Sequence, residues 1–236
     1  MSPVATDPYR TTRPAPLKSM PPSSTNSECI FDPMPEALAA FSRGEFLVVM
    51  DDADRENEGD LIVPAHGITT EQMAWFIKHT SGYICVSLPG ERLEELRLPL
   101  MVPMNEERHR TAYTVTADYK YGTTTGISAH DRALTARMMA QGGKAEDFNR
   151  PGHMVPLRAR EGGVLTRKGH TESALDLCKL TNQPAAGLLC ELVNDDVQGS
   201  MARRDDCRAF ADRWGLKMIS VEMIVQWRKE HEGSQI

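Results

Sequence analysis

Long apolar runs are missing. No stretch of the 236 residues approaches the roughly 18 apolar positions that a membrane-spanning helix needs. Cysteine is scarce and odd in number (Cys29, Cys85, Cys178, Cys190 and Cys207), with no CxxC pair. That argues against a disulfide framework or a structural zinc site and fits a reducing compartment. Neither GxxxxGK[ST] nor GxGxxG occurs, which argues against the phosphate loops of nucleotide enzymes. Positive charge is also short: the chain carries 27 Lys and Arg against 33 Asp and Glu. The three cations Arg10, Arg13 and Lys18 face only Asp7 within residues 1–27, so the remainder is more acidic still. Such a body is a poor partner for nucleic acid and suits either plain solubility or metal cations.

Eight of the fifteen prolines fall within residues 1–35, among many Ser and Thr and almost no apolar periodicity. Residues 1–30 therefore read as a disordered tail, and residues 31–236 as one folded domain. The tail is poor in acids, as mitochondrial presequences are. Its prolines interrupt any amphipathic helix, and the expected location is cytoplasmic.

Asp32-Pro33 reads as a cap and first helical turn, closed by Gly44. Phe46–Met50 and Leu61–Val63 read as neighbouring buried strands. A capping box at Thr69–Gln72 opens a helix whose inner face is Met73, Phe76, Ile77 and Thr80. Tyr83–Leu88 is a short strand, and Ser128 starts a helix that Gly142-Gly143 ends. Val164-Leu165 reads as a short strand, Ser173–Asp176 as another capping box, Gly187–Val193 as a strand and Ser220–Lys229 as a terminal helix. Strands and helices alternate without a fixed repeat. The expected fold is α+β: a single domain with a mixed, twisted sheet flanked by helices in a three-layer arrangement.

Five stretches carry candidate chemistry. Asp51–Asp60 crowds six carboxylates into ten residues, which repel unless a cation or basic partner offsets them. In an extended chain Glu56, Glu58 and Asp60 share one side, and such hard oxygen donors suit Mg²⁺ or Mn²⁺. A solvated hairpin tip is the plain alternative. An EF-hand starting at Asp54 fails, because its twelfth position is Ala65. Gly162–Glu172 joins glycines to Arg167, Lys168, His170 and Thr171 at a helix start, a natural phosphate cradle or simply a capped helix with surface cations. Glu191 interrupts the apolar strand Gly187–Val193 and needs a partner, a role, or a solvent-facing position. Arg150–His153 reads as a turn that projects a histidine. Tyr121–Ser128 is a hydroxyl-rich loop that binds a polyol or phosphate or merely makes the turn. Cys178 and Cys190 read as core filler. Together these suit metal-assisted acid/base chemistry on a small phosphorylated substrate. A sugar-phosphate isomerase, a phosphatase and a metal- or anion-sensing module all stay open.

Six motifs, in order, narrow the field: Asp-Arg-Glu-Asn-Glu-Gly-Asp (54–60), Thr-Thr-Gly-Ile-Ser (124–128), Asn-Arg-Pro-Gly-His (149–153), Gly-Gly-Val-Leu-Thr-Arg (162–167), Gly-His-Thr-Glu (169–172) and Cys-Glu-Leu (190–192). Over roughly residues 34–230 the chain resembles the 3,4-dihydroxy-2-butanone 4-phosphate synthases of riboflavin biosynthesis, in their form without a fused GTP cyclohydrolase II domain. The resemblance implies a lyase that turns D-ribulose 5-phosphate into L-3,4-dihydroxy-2-butanone 4-phosphate and formate. It also implies Mg²⁺ (or Mn²⁺) and a homodimer with active sites at the subunit interface, with no nucleic acid or membrane partner. Carried over by motif, Glu56 and His170 are the metal ligands. Arg55, Asp60, Thr125, Arg167, Lys168, Gly169, Thr171 and Glu191 contact substrate, and Cys85 approaches the same pocket. His153, Glu191 and Asp60 are the residues implied to act in catalysis. Either Glu191 or Asp60 takes the first proton, and His153 acts from the partner subunit.

Overall fold

The computed structural model describes residues 30–232, so the expected tail falls, all but its last residue, outside the described residues. Seven strands form one mixed sheet: β1 (Leu47–Met50), β2 (Gly59–Pro64), β3 (Cys85–Leu88), β4 (Ala117–Tyr119), β5 (Phe148–Arg158), β6 (Gly187–Glu191) and β7 (Lys217–Ser220). Their order is β4-β5-β3-β6-β2-β1-β7, with β1–β7 and β3–β5 parallel and the other pairs antiparallel. The central strands are buried on both faces, so Leu47-Val-Val-Met50 reads as a continuous apolar run rather than an alternation.

Helices cover both faces, giving the expected three layers. Val48, Met50, Leu61, Val86 and Leu188 pack with Met73 and Phe76 of α2 (Thr70–Lys78), Leu93 of α3 (Gly90–Glu95), Met139 of α4 (Ala129–Ala140) and Cys207 of α6 (Arg204–Trp214). On the opposite face, Leu47, Val49, Ile62, Cys85 and Leu189 pack with Phe41 of α1 (Met34–Ser42), Leu177 of α5 (His170–Leu180) and Ile224 of α7 (Val221–Glu232). Burying each such large apolar side chain stabilises the fold by about 1.5–3 kcal/mol. Cys178 and Cys190 are buried in these cores as free thiols, as the sequence suggests.

Four local expectations need correction. Asp32 does not cap α1, whose N-cap is Pro33 with no side-chain bond. Its carboxylate instead accepts the Met218 N–H and pairs with Arg208 and Lys217, fastening the residues just before α1 to α6 and β7. Val164-Leu165 is a 3₁₀ turn rather than a strand, because Gly162 and Gly163 take positive φ and the Val164 N–H goes to Asp176. Ser173 does not begin a helix. α5 starts three residues earlier, at His170, and the Ser173 hydroxyl donates back to the Gly169 carbonyl. Arg150–His153 is no free turn but part of β5, whose Arg150-Pro151 peptide is cis. Ala117 pairs with Met154 while the adjacent Asp118 pairs with Asn149, so residues 150–153 bulge out of the ladder and His153 projects from it.

Candidate active site

The acidic segment is a folded loop, and Asp51 folds it. One Asp51 oxygen accepts the Glu58 N–H at 2.9 Å, while the other accepts the Glu56 N–H at 3.1 Å and Arg55 Nη1 at 2.8 Å. Arg55 also pairs with the Glu56 carboxylate. Asn57 turns the chain with φ of 54°, and Arg203 Nη1 of the α6 N-cap binds the Glu56 and Asn57 carbonyls from outside. The carboxylate repulsion read from sequence is thus offset by two arginines and backbone amides. Only Asp52 and Asp54 stand in an exposed hairpin tip, while Asp51, Glu56, Glu58 and Asp60 are buried or half-buried.

Register delivers the next pair of acids. Asp60 of β2 lies directly opposite Glu191 of β6, so both side chains leave the sheet on the α5 face. Cys85 of β3 pairs with Leu189, two residues before Glu191, and so lines the same face. Glu191 is half-buried with a definite partner: Ser81 Oγ donates to its Oε2 at 2.8 Å.

Onto this face α5 brings His170 as its first helical residue. The buried His170 Nε2 lies 3.1 Å from the Val49 carbonyl and donates to it. That bond turns Nδ1 toward Asp60 Oδ1 at 3.6 Å and Glu56 Oε2 at 3.7 Å. Behind the helix start, buried Glu172 fixes Arg167: Nη1 meets Glu172 Oε2 at 2.6 Å, and Nη2 donates to Thr111 Oγ1 at 3.0 Å. The resulting cleft is lined by Arg55, Glu56, Glu58, Asp60, Cys85, Thr111, Tyr113, Leu157, Arg167, His170, Thr171, Leu189 and Glu191.

Burial and crowding set the protonation of these groups. For Asp60, burial comes first, reinforced by Glu191, Glu56 and Glu58 and opposed by His170, and the carboxyl is pushed up to about 7. Burial by itself would discharge His170, but Asp60, Glu56 and Asp51 more than offset it and raise the imidazole to about 9. Burial likewise disfavours charged Glu56, yet His170 and Arg55 hold that carboxyl down at about 2. Burial pushes the Cys85 thiol well up, with Glu191 adding to it, so Cys85 is a neutral wall of the cleft rather than a nucleophile.

A divalent cation fits this cluster on geometry. Ligand atoms of Asp51, Glu56 and His170 lie within 4.8 Å of one another. Asp60 Oδ1 is buried without a hydrogen-bond partner, a donor atom left over beside them. The bond from His170 Nε2 to a backbone carbonyl is the second bond that commonly orients a metal-binding imidazole.

Not every residue implied by the motifs reaches the cleft within one chain. Gly169 stands at its edge as the N-cap of α5. Lys168 points away and pairs with Glu222 of α7 at 2.5 Å, its ammonium raised by that partner. Thr125 is exposed on the loop before α4, and His153 lies beside that loop on β5, outside the cleft lining. Conversely, Ser81, Thr111, Tyr113 and Asp118 support or line the site without a motif to flag them, since only tertiary proximity reveals them. Asp51 stood at the border of the acidic run, where its loop-folding role was not legible.

No helix among the described residues is long and apolar enough to cross a membrane. A family model described as 3,4-dihydroxy-2-butanone 4-phosphate synthase matches residues 35–227. The Schizosaccharomyces pombe protein of that name is 56% identical over 196 residues, covering 82% of this chain and 96% of the relative. The Candida albicans protein of that name is 52% identical, covering 84% and 97%. A crystal structure of a 3,4-dihydroxy-2-butanone 4-phosphate synthase in complex with two magnesium ions superposes with a TM-score of 0.83 at 47% identity, covering 86% of this chain and 99% of that one. A chain with this cleft, matched by the family model over most of its length, belongs to the 3,4-dihydroxy-2-butanone 4-phosphate synthase family.

Proposed function

We propose that this enzyme converts D-ribulose 5-phosphate into L-3,4-dihydroxy-2-butanone 4-phosphate and formate with Mg²⁺ (or Mn²⁺), as a homodimer whose two sites each draw on both chains. The observation that carries the reading is the meeting of Glu56, Asp60, His170 and Glu191, from three separate parts of the chain, beside Arg167 and the start of α5.

Glu56 and His170 would hold the cation, with Asp51 and Asp60 within reach. When bound, it draws electron density from the carbonyl and hydroxyl oxygens of the sugar, which makes the neighbouring C–H more acidic. Arg167, the Thr171 hydroxyl and the amides at the start of α5 bind the phosphate, where the helix dipole favours an anion. Arg55 binds sugar oxygens at the other rim. Asp60 and Glu191, facing each other across β2 and β6, take the proton from the carbon next to the carbonyl and return it after the skeleton has shifted. Leu157, Leu189 and Tyr113 form the apolar wall that limits water around these steps. The two products together contain all the atoms of the substrate, so no external oxidant or reductant is required.

What one cleft lacks supports the dimer. Thr125 and His153 are held together on the β4–β5 side of the sheet, outside the cleft of their own chain. Tyr83, Tyr121 and Ile127 are exposed around the cleft and the Thr125 loop, apolar surface suited to burial against a second copy. His153 of the partner subunit then supplies a further proton-transfer group.

The test is incubation of the purified enzyme with D-ribulose 5-phosphate. Formate should appear with Mg²⁺, stop with EDTA, and resume when Mg²⁺ is returned. An isomeric pentose phosphate or inorganic phosphate in place of formate would favour the isomerase or phosphatase, and tight ligand binding without turnover would favour the sensor.

A further inference from the structure

We infer that Asp118, on β4, is a positioning residue that fixes which nitrogen of His153 works. Its carboxylate grips His153 twice. One oxygen accepts the backbone N–H of His153 at 2.7 Å, and the other lies 2.6 Å from Nδ1 of the ring. A carboxylate oxygen that close to a ring nitrogen requires the proton to sit on Nδ1, so the neutral imidazole presents an Nε2 lone pair. Burial is divided to match: the Asp118 side chain is 11% exposed and the His153 ring 43%. The acid is the hidden support and the imidazole the outward tool.

The loop that carries Thr125 is built against this pair. Gly126 has φ of 97°, and a Cβ there would lie 2.0 Å from Asp118 Oδ2 and 2.6 Å from His153 Nδ1. Asp131 holds the loop down by accepting the Thr124 N–H at 3.0 Å, the Thr124 hydroxyl at 2.7 Å and the Gly126 N–H at 2.9 Å. The bulge of β5 described above brings His153 to Asp118 across the β4–β5 ladder. Bulge, glycine and capped loop thus converge on one ring orientation. This deepens the reading of His153 given above and rests on it.

Asp118→Asn keeps the size of the side chain but offers an N–H as well as an oxygen, which tolerates the opposite tautomer. It should lower kcat about 10- to 100-fold with KM within about twofold, the loss typical of a lost orienting bond. The double variant D118N/H153Q should be no slower than H153Q alone, because both act through one group. In the unsubstituted enzyme labelled with ¹⁵N, the neutral His153 ring should carry its proton on Nδ1. Three results would overturn the inference. Wild-type kcat in D118N beside an inactive H153Q would remove Asp118 and leave the proposed activity standing. A neutral His153 with its proton on Nε2 in the unsubstituted enzyme would do the same without relying on any variant. A fully active H153Q would remove the premise, and with it the role given to His153.

Discussion

At the scale of single residues, His170 decides most. It is buried, it spends Nε2 on the Val49 carbonyl, and it turns Nδ1 into a group of acids that keep it protonated up to about 9. A divalent cation must displace that proton, so Mg²⁺ affinity should weaken as pH falls below about 9, by up to about tenfold per unit. Calorimetric titrations in buffers of different ionisation enthalpy should show proton release, and a pH-independent affinity would contradict the shared site. Glu56→Ala and His170→Ala should each cut formate release by at least about a hundredfold and weaken Mg²⁺ binding while the circular dichroism spectrum stays unchanged. These two residues were legible in the sequence because they stand inside specific motifs. Asp118, Thr111 and Tyr113 were not, since their work depends on neighbours 35 to 56 positions away.

At the scale of elements, the sequence read apolar strands and side-chain caps well and read glycine-led starts poorly. Thr69 forms the expected capping box with Gln72, and Ser128 caps α4. The sequence puts the start of α5 at Ser173, because Gly169 has no side-chain oxygen to announce a cap. α6 and β4 leave little signal in the sequence. The first is a mostly polar helix that buries only Cys207 and Ala211, and the second is three residues long. Two predictions belong here. Gly126→Ala should destabilise the enzyme by about 1–3 kcal/mol in urea unfolding, through the cost of positive φ with a Cβ. It should also lower kcat, since the added atom strikes Asp118 and His153. For Asp32, burial raises the carboxyl, but the Met218 N–H, Arg208 and Lys217 outweigh it and the net shift is downward. Its contribution is therefore present above pH 4 or so and lost as pH falls through its lowered folded value. Asp32→Ala should cost about 1–2 kcal/mol at pH 7 and much less near pH 2. An equal loss at both pH values would show that the anchor works by packing alone.

At the scale of the whole molecule, one sheet with helices on both faces brings acids and bases from three distant parts of the chain to one end of its central strands. It leaves Thr125 and His153 on a separate side. If two copies complete each other's sites, light scattering should give twice the chain's mass. Mixing inactive His170→Ala and His153→Gln chains should then restore about a quarter of wild-type activity, since half the dimers become mixed and each of those has one intact site. No recovery after verified subunit exchange would place each site within a single chain. The fate of the carbon skeleton tests the central claim most directly. With ribulose 5-phosphate carrying carbon-13 at its fourth carbon, Mg²⁺ and this enzyme, nuclear magnetic resonance should find the label in formate and none in the four-carbon phosphate. Label retained in a five-carbon sugar, with or without released phosphate, would contradict the account.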